Sequence, residues 1–167
     1  MEIRELKVQD ARIALDFFKK LVSEDRERVE RPEDVVGLTI ADETRWIKER
    51  INKEKAGEFF ARIATEGELI VAEGEIERME RWIERHVAEL RFGVLPGNEA
   101  IAVELVQELI SIARANGIEV LLYFHLATQK TGVHIAEKVG FRTVGKIERY
   151  YKRGEIYTDR VYMVLRL

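Results

Sequence analysis

The stretch 86–124 leaves few architectures open. His86–Leu95 (HVAELRFGVL) alternates as a strand does and stops at Pro96-Gly97. Asn98 then opens the strongest helical pattern in the chain, Glu99–Ala115. Its apolar residues Ile101, Val103, Leu105, Val106, Leu109, Ile110 and Ile112 recur at helical spacing. Asn116-Gly117 closes it, glycine being suited to the left-handed position after a helix. Ile118–Phe124 is nearly all apolar, as a strand buried on both faces would be.

The rest of the chain reads outward from this unit. Glu2–Leu6 is a short edge strand and Ala11–Val22 an amphipathic helix, followed by a polar stretch with Pro32 over Ser23–Asp34 that reads as a loop or a broken helix. Thr39 caps a second helix to about Lys53, with Asp42 three positions on as a short-armed capping box. Phe59–Ala64 and Leu69–Ala72 pair through a Glu66-Gly67 turn. In Gly74–Arg85, Ile76, Met79, Trp82 and Ile83 fit a helix, but the flanking strands favour a continuing sheet, so the segment is read as strand. Lys130–Val139 is a shorter helix ending at Gly140. Arg142–Tyr151 and Ile156–Arg166 are strands joined by a Lys152-Arg153-Gly154-Glu155 turn. The order β-α-α-β-β-β-α-β-α-β-β, without repeat or linker, predicts one α/β domain over 1–167: a mixed, twisted sheet flanked by helices.

At 167 residues, 46% of them hydrophobic, the chain is long enough to bury a real core. Lys and Arg number 28 against 31 Asp and Glu, so a general nucleic-acid binder, which needs a basic excess, is not expected. The absence of cysteine excludes disulfides, thiolate metal sites and a Cys nucleophile. A charged N-terminus and the lack of a long apolar run predict a cytoplasmic protein with no membrane partner. Abundant Glu, Lys and Arg with few Asn and Gln resemble thermophile usage.

Three segments carry a family resemblance. HVAELRFGVLP (86–96), HIAEKVGF (134–141) and VGKIERYYKRGEIYTDRVYM (144–163) resemble the fourth strand, the short-helix end and the last hairpin of the GNAT N-acetyltransferases. The hairpin's Gly154-x-x-x-x-Asp159 spacing and closing Met163 resemble the branch acting on amino acids and protein N-terminal alanine. The resemblance implies a GNAT fold with the fourth and fifth strands splayed and helix 99–115 starting at the mouth of the gap. It also implies acetyl-CoA as acyl donor, an acceptor that is a small-molecule amine or a protein N-terminus, and direct transfer. A homodimer is implied as well, because terminal strands of this fold often pair across subunits.

The implied donor site runs along Phe92, Gly93 and Val94, where backbone pairs with the pantetheine arm. It continues through a pyrophosphate loop of Gly97, Asn98, Glu99, Ala100, Ile101 and Ala102 at a helix N-terminus. That loop departs from the family's Gln/Arg-x-x-Gly-x-Gly/Ala. With Leu105 in its usual place the loop is about two residues short, Ala100 and Ala102 take the glycine positions, and Glu99 sets a carboxylate beside the phosphates. In the short helix Gln129 takes the place of a pantetheine-contacting Asn, and Ala136 that of a thiolate-protonating Tyr.

Glu89 lies where many relatives supply a carboxylate base, and partial burial would raise its pKa usefully. A solvated strand glutamate is the equal alternative. His125, beside the expected meeting of donor and acceptor, is a second candidate, while His86 and His134 are strand-end and surface residues. The three share no metal-ligand spacing, so no metal is expected. Tyr150 and Tyr151 alternate across the sheet, which gives one of them to an acceptor wall or to ordinary packing. The acidic loop 24–34 could attract a cationic amine such as a polyamine, although a solvated face is the simpler reading. Two functions stand: an N-acetyltransferase, or a GNAT-fold binding or regulatory module that has lost productive acetyl-CoA binding.

Overall fold

The computed structural model describes residues 1–167. In chain order the elements are β1 (Glu2–Glu5), α1 (Ala11–Glu24), α2 (Pro32–Val35), α3 (Ile40–Lys55), β2 (Phe59–Glu66), β3 (Leu69–Arg78) and β4 (Val87–Val94). Then come α4 (Glu99–Ala115), β5 (Val120–Leu126), α5 (Lys130–Lys138), β6 (Arg142–Arg153) and β7 (Ile156–Arg166). Seven strands form one sheet in the order β1-β2-β3-β4-β5-β7-β6. All pairs are antiparallel except β4–β5. A parallel pair needs a crossover, which α4 supplies.

The period-2 side-chain rule divides β3 between two layers. Ala72 and Ile76 join Leu90 of β4 and Leu105 and Leu109 of α4 in the larger core. Gly74 lets α4 come close, since a Cβ there would collide with Leu105 and Leu109. On the opposite face α1 and α3 pack with Ile63 and Ile70 in a second core that includes Phe17, Leu21 and Ile47. Glu73 and Glu75 point to this side, beneath those helices, and line a cleft with residues of both. Thr39 caps α3 as expected: its Oγ1 accepts the Asp42 N–H at 3.2 Å, and Asp42 Oδ2 accepts the Thr39 N–H at 3.1 Å.

Two local expectations need correction, and one alternative is settled. The strand reading of Gly74–Arg85 holds only to Arg78; Trp82–Glu84 form a 3-10 turn instead. Trp82 and Ile83 are exposed there and bring no apolar face to the sheet, while Arg85 anchors the turn to the Glu58 carboxylate. Ser23–Asp34 is the broken-helix alternative: α1 runs to Glu24, and Pro32, placed at a helix start, opens the short α2. β6 runs two residues past Tyr151 to Arg153, leaving Gly154 in the left-handed region (φ 57°) for the turn. β6 is an open edge, exposed on both faces, with Val144 and Ile147 in solvent. No helix is long and apolar enough to cross a membrane.

Candidate active site

β4 and β5 are paired only at Val87↔Val120, Ala88↔Leu121 and Glu89↔Leu122. Both strands then run on, to Val94 and Leu126, without pairing to each other. The backbone N–H and C=O groups on that flank of β4 lack a strand partner and open onto a gap. Two clefts meet there, sharing Arg28, Phe92 and Gly93. Gly93 has to be small, because a Cβ would run into Leu21 of α1.

The first cleft, of about 580 Å³, lies between α1, α3 and the β3–β4 face. Phe17, Phe18, Leu21, Leu38 and Trp46 give it an apolar wall. Its four guanidinium groups are all committed to carboxylates. Arg28 pairs with Glu30 (3.1 Å), Arg45 with Asp42 (3.4 Å), Arg50 with Glu77 (3.3 Å) and Arg91 with Glu75 (2.6 Å). Glu43, Glu49 and Glu73 line the same cleft with no cation of their own. Burial, and then the charges of Glu75 and Glu43, push the Glu73 carboxyl up to about 8, with Arg28 opposing in part. Burial also raises the carboxyls of Glu75 and Glu43.

The second cleft, of about 320 Å³, lies between the end of β4, the start of α4 and the start of α5. Tyr123 of β5 lines it, stacked on Phe92 with centroids 5.0 Å apart. A side chain on Gly132 would collide with the Tyr123 hydroxyl, so that glycine keeps the phenol's place open. Burial holds the Tyr123 phenol well above its ordinary pKa, and therefore protonated. At the α4 end, Glu99 Oε1 accepts the Gly97 N–H at 3.2 Å and sets a negative charge in the helix's first turn.

A strap crosses both clefts. The Arg153 guanidinium donates to the Arg26 carbonyl (2.6 Å) and to the Arg28 carbonyl, and Thr128 bonds to Glu27. This holds the segment after α1 over the junction and brings Arg28 into both clefts.

The residues expected from sequence fall in different places. Phe92, Gly93, Val94, Glu99 and Gln129 line the second cleft together. Gln129 Oε1 accepts the Leu126 N–H at 3.3 Å, which leaves its amide nitrogen free to donate. Gly97, Asn98, Ala100, Ile101 and Ala102 are not in that lining; Ile101 and Ala102 are buried in the larger core, and Asn98 donates to the Leu95 and Pro96 carbonyls. Glu89 stands on the first-cleft face of β4 but lines neither cleft, 4.0 Å from Arg91. His125 is buried inside β5, its Nδ1 2.7 Å from the Leu126 carbonyl and its Nε2 without a partner. Tyr150 and Tyr151 meet edge to face at 4.9 Å on β6, outside both clefts, and the Tyr150 hydroxyl accepts from Arg160 at 2.9 Å. Asp159 fixes that part of β6 by accepting the N–H of Arg149, whose φ is 55°. Glu73 and Tyr123 were missed by sequence reasoning.

Comparison with known proteins gives consistent results. A family model described as Acetyltransferase (GNAT) domain matches residues 3–162. A search of curated proteins gives no match. An acetyltransferase of the GNAT family from Streptococcus pneumoniae superposes with a TM-score of 0.88 at 21% identity, covering 99% of each chain. A ribosomal-protein-alanine N-acetyltransferase from Brucella melitensis does so at 0.82 and 20% identity, over 100% of both chains. A phosphinothricin acetyltransferase from Sinorhizobium meliloti, solved with acetyl-CoA, does so at 0.80 and 15% identity, over 99% of this chain and 88% of that one. At these identities the likeness concerns the fold.

Proposed function

We propose that this chain, which belongs to the GNAT acetyltransferase family, transfers an acetyl group from acetyl-CoA to a primary amine. The amine belongs to a small molecule or a protein N-terminus, and transfer is direct. One observation carries this reading: two clefts meet where β4 parts from β5. The unpaired flank of β4 suits the amide groups of a pantetheine arm, and Phe92, Gly93, Val94 and Gln129 would hold that arm. Bound there, acetyl-CoA would supply a thioester. The Glu99 carboxylate opposes the pyrophosphate end, so we propose weak donor binding.

In this reading the first cleft takes the acceptor. Glu73 is the base: it lies across the ladder from Gly93, and a carboxyl raised to about 8 is, in its ionised form, a strong enough base to take a proton from an ammonium group. Glu89, facing the same side, lines neither of the two clefts and stands 4.0 Å from Arg91. Tyr123 gives a proton to the departing sulfur, the part Ala136 cannot play. Unpaired β4 N–H groups at the gap polarise the reacting carbonyl. Incubation with acetyl-CoA and a panel of amines, amino acids and N-terminal peptides, read by thiol release and mass spectrometry, tests this. Release of thiol with an acetylated amine is expected; failure with every acceptor would overturn the reading.

A further inference from the structure

The first cleft is chemically unbalanced. Each of its arginines already faces a carboxylate, so their charge is balanced within the protein, while Glu43, Glu49 and Glu73 have no such counter-charge. Glu73 and Glu43 line it together, near enough for the Glu43 charge to act on Glu73, and Glu49 lines it as well, exposed to solvent. A ligand that completes this cavity brings positive charge, and more than one. The ammonium that reacts at Glu73 gives up its proton there and cannot also satisfy Glu43. The same cleft has an apolar wall, with Trp46 of α3 and Phe17 and Leu21 of α1, which suits a methylene chain.

We infer that the acceptor is an aliphatic diamine or polyamine, its reacting amine at Glu73 and a second ammonium held by Glu43. This rests on the reading of the first cleft as the acceptor site. Glu43 is then a specificity residue: it reads the far end of the acceptor and touches no reacting atom. Its partial burial makes an opposite charge valuable, because a desolvated carboxylate without a partner is costly and a charge-assisted hydrogen bond removes that cost.

Binding measured without acetyl-CoA separates this proposal from the catalytic one. Titrations of the intact protein followed by NMR, with 1,4-diaminobutane and with butylamine, should show the diamine binding ~10-fold or more tighter, the worth of one hydrogen bond to a charged group. Glu43→Gln should cut that preference to about twofold or less, with unfolding curves confirming an intact fold. Equal binding of the two amines to the wild type, binding of neither, or an undiminished preference in Glu43→Gln would overturn the inference. A diamine preference without acetyl transfer would uphold it and remove the transferase reading. Transfer to monoamines or amino acids without a diamine preference would do the reverse.

Discussion

Glu73 on β3 stands directly opposite Gly93 on β4. The carboxyl driven furthest from its ordinary value thus lies one strand from the point where the two clefts join. A base needs to be near the reacting amine and to hold a proton about as tightly as neutral pH allows, and with the first cleft as the proposed acceptor site Glu73 fits both conditions. Its neutral isostere keeps the shape and loses the function. Glu73→Gln should lower kcat/KM by ~10²–10⁴-fold. The wild-type rate should climb with pH toward a plateau above about 8, and the variant should lose that limb. Glu89→Gln, measured alongside, should stay within about tenfold. The opposite ranking would place the base at Glu89.

The same displaced carboxyl ties stability to pH. Folded protein keeps the Glu73 proton up to about 8, while the unfolded chain releases it near 4.5. Between these values the unfolded state binds fewer protons, so stability falls as pH rises. The contribution is complete below about 4.5 and gone above about 8. Glu73→Gln has no such proton to lose. Its stability relative to wild type should therefore grow across that window and then level off. Each unit of displacement is worth ~1.4 kcal/mol, so the gain should reach at least that. Urea unfolding at about pH 5, 7 and 9 measures it; parallel curves for the two proteins would show that Glu73 titrates normally.

Much of the frame was legible in the sequence. The strand–Pro-Gly–helix–strand succession gave β4, α4 and β5, and Thr39 with Asp42 marked the start of α3. These features depend on local spacing and capping. Glu73, Glu75 and Glu77 were not legible as a site, because period-2 glutamates on a strand read as a solvent face. Here α1 and α3 cover that face, and burial comes from residues distant in sequence, such as Leu21 and Trp46. Tyr123 was hidden by its own strand: in Ile118–Phe124 it reads as one more buried apolar residue, and only Gly132, across the cleft, gives its hydroxyl room. Trp82 and Ile83 misled in the other direction, suggesting a buried periodicity where both side chains are exposed.

The donor loop supports a direct test. Glu99 occupies the Gly97 N–H and sets a negative charge at the start of α4, where a pyrophosphate would want both the donors and the dipole. Glu99→Ala should tighten acetyl-CoA about fivefold, the effect of about 1 kcal/mol at a helix terminus. Glu99→Arg with Ala100→Gly should tighten it further. The gain should shrink with added salt, because the group is only partly buried. Calorimetric titration with acetyl-CoA and with free CoA reads both. An unchanged affinity in Glu99→Ala would mean that the donor's phosphates lie elsewhere.

Tyr123 is the only phenol lining the donor cleft, and its burial keeps it protonated at working pH. An acid that hands a proton to a departing thiolate must begin in that state. Tyr123→Phe preserves the stack on Phe92 and removes only the hydroxyl. It should lower kcat by ~10²-fold if sulfur departure limits turnover, with KM for the amine little changed, since the proposed acceptor site is the other cleft. Returning a tyrosine to α5 should not rescue it. Ala136 is fully buried in the larger core, so Ala136→Tyr overpacks the core and should cost about 1–3 kcal/mol of stability. Gly132→Ala supplies the positional control: its methyl would displace the hydroxyl without removing it, and should lower kcat while the protein stays folded. Wild-type turnover in Tyr123→Phe would leave the thiolate to depart unassisted or to take its proton from water.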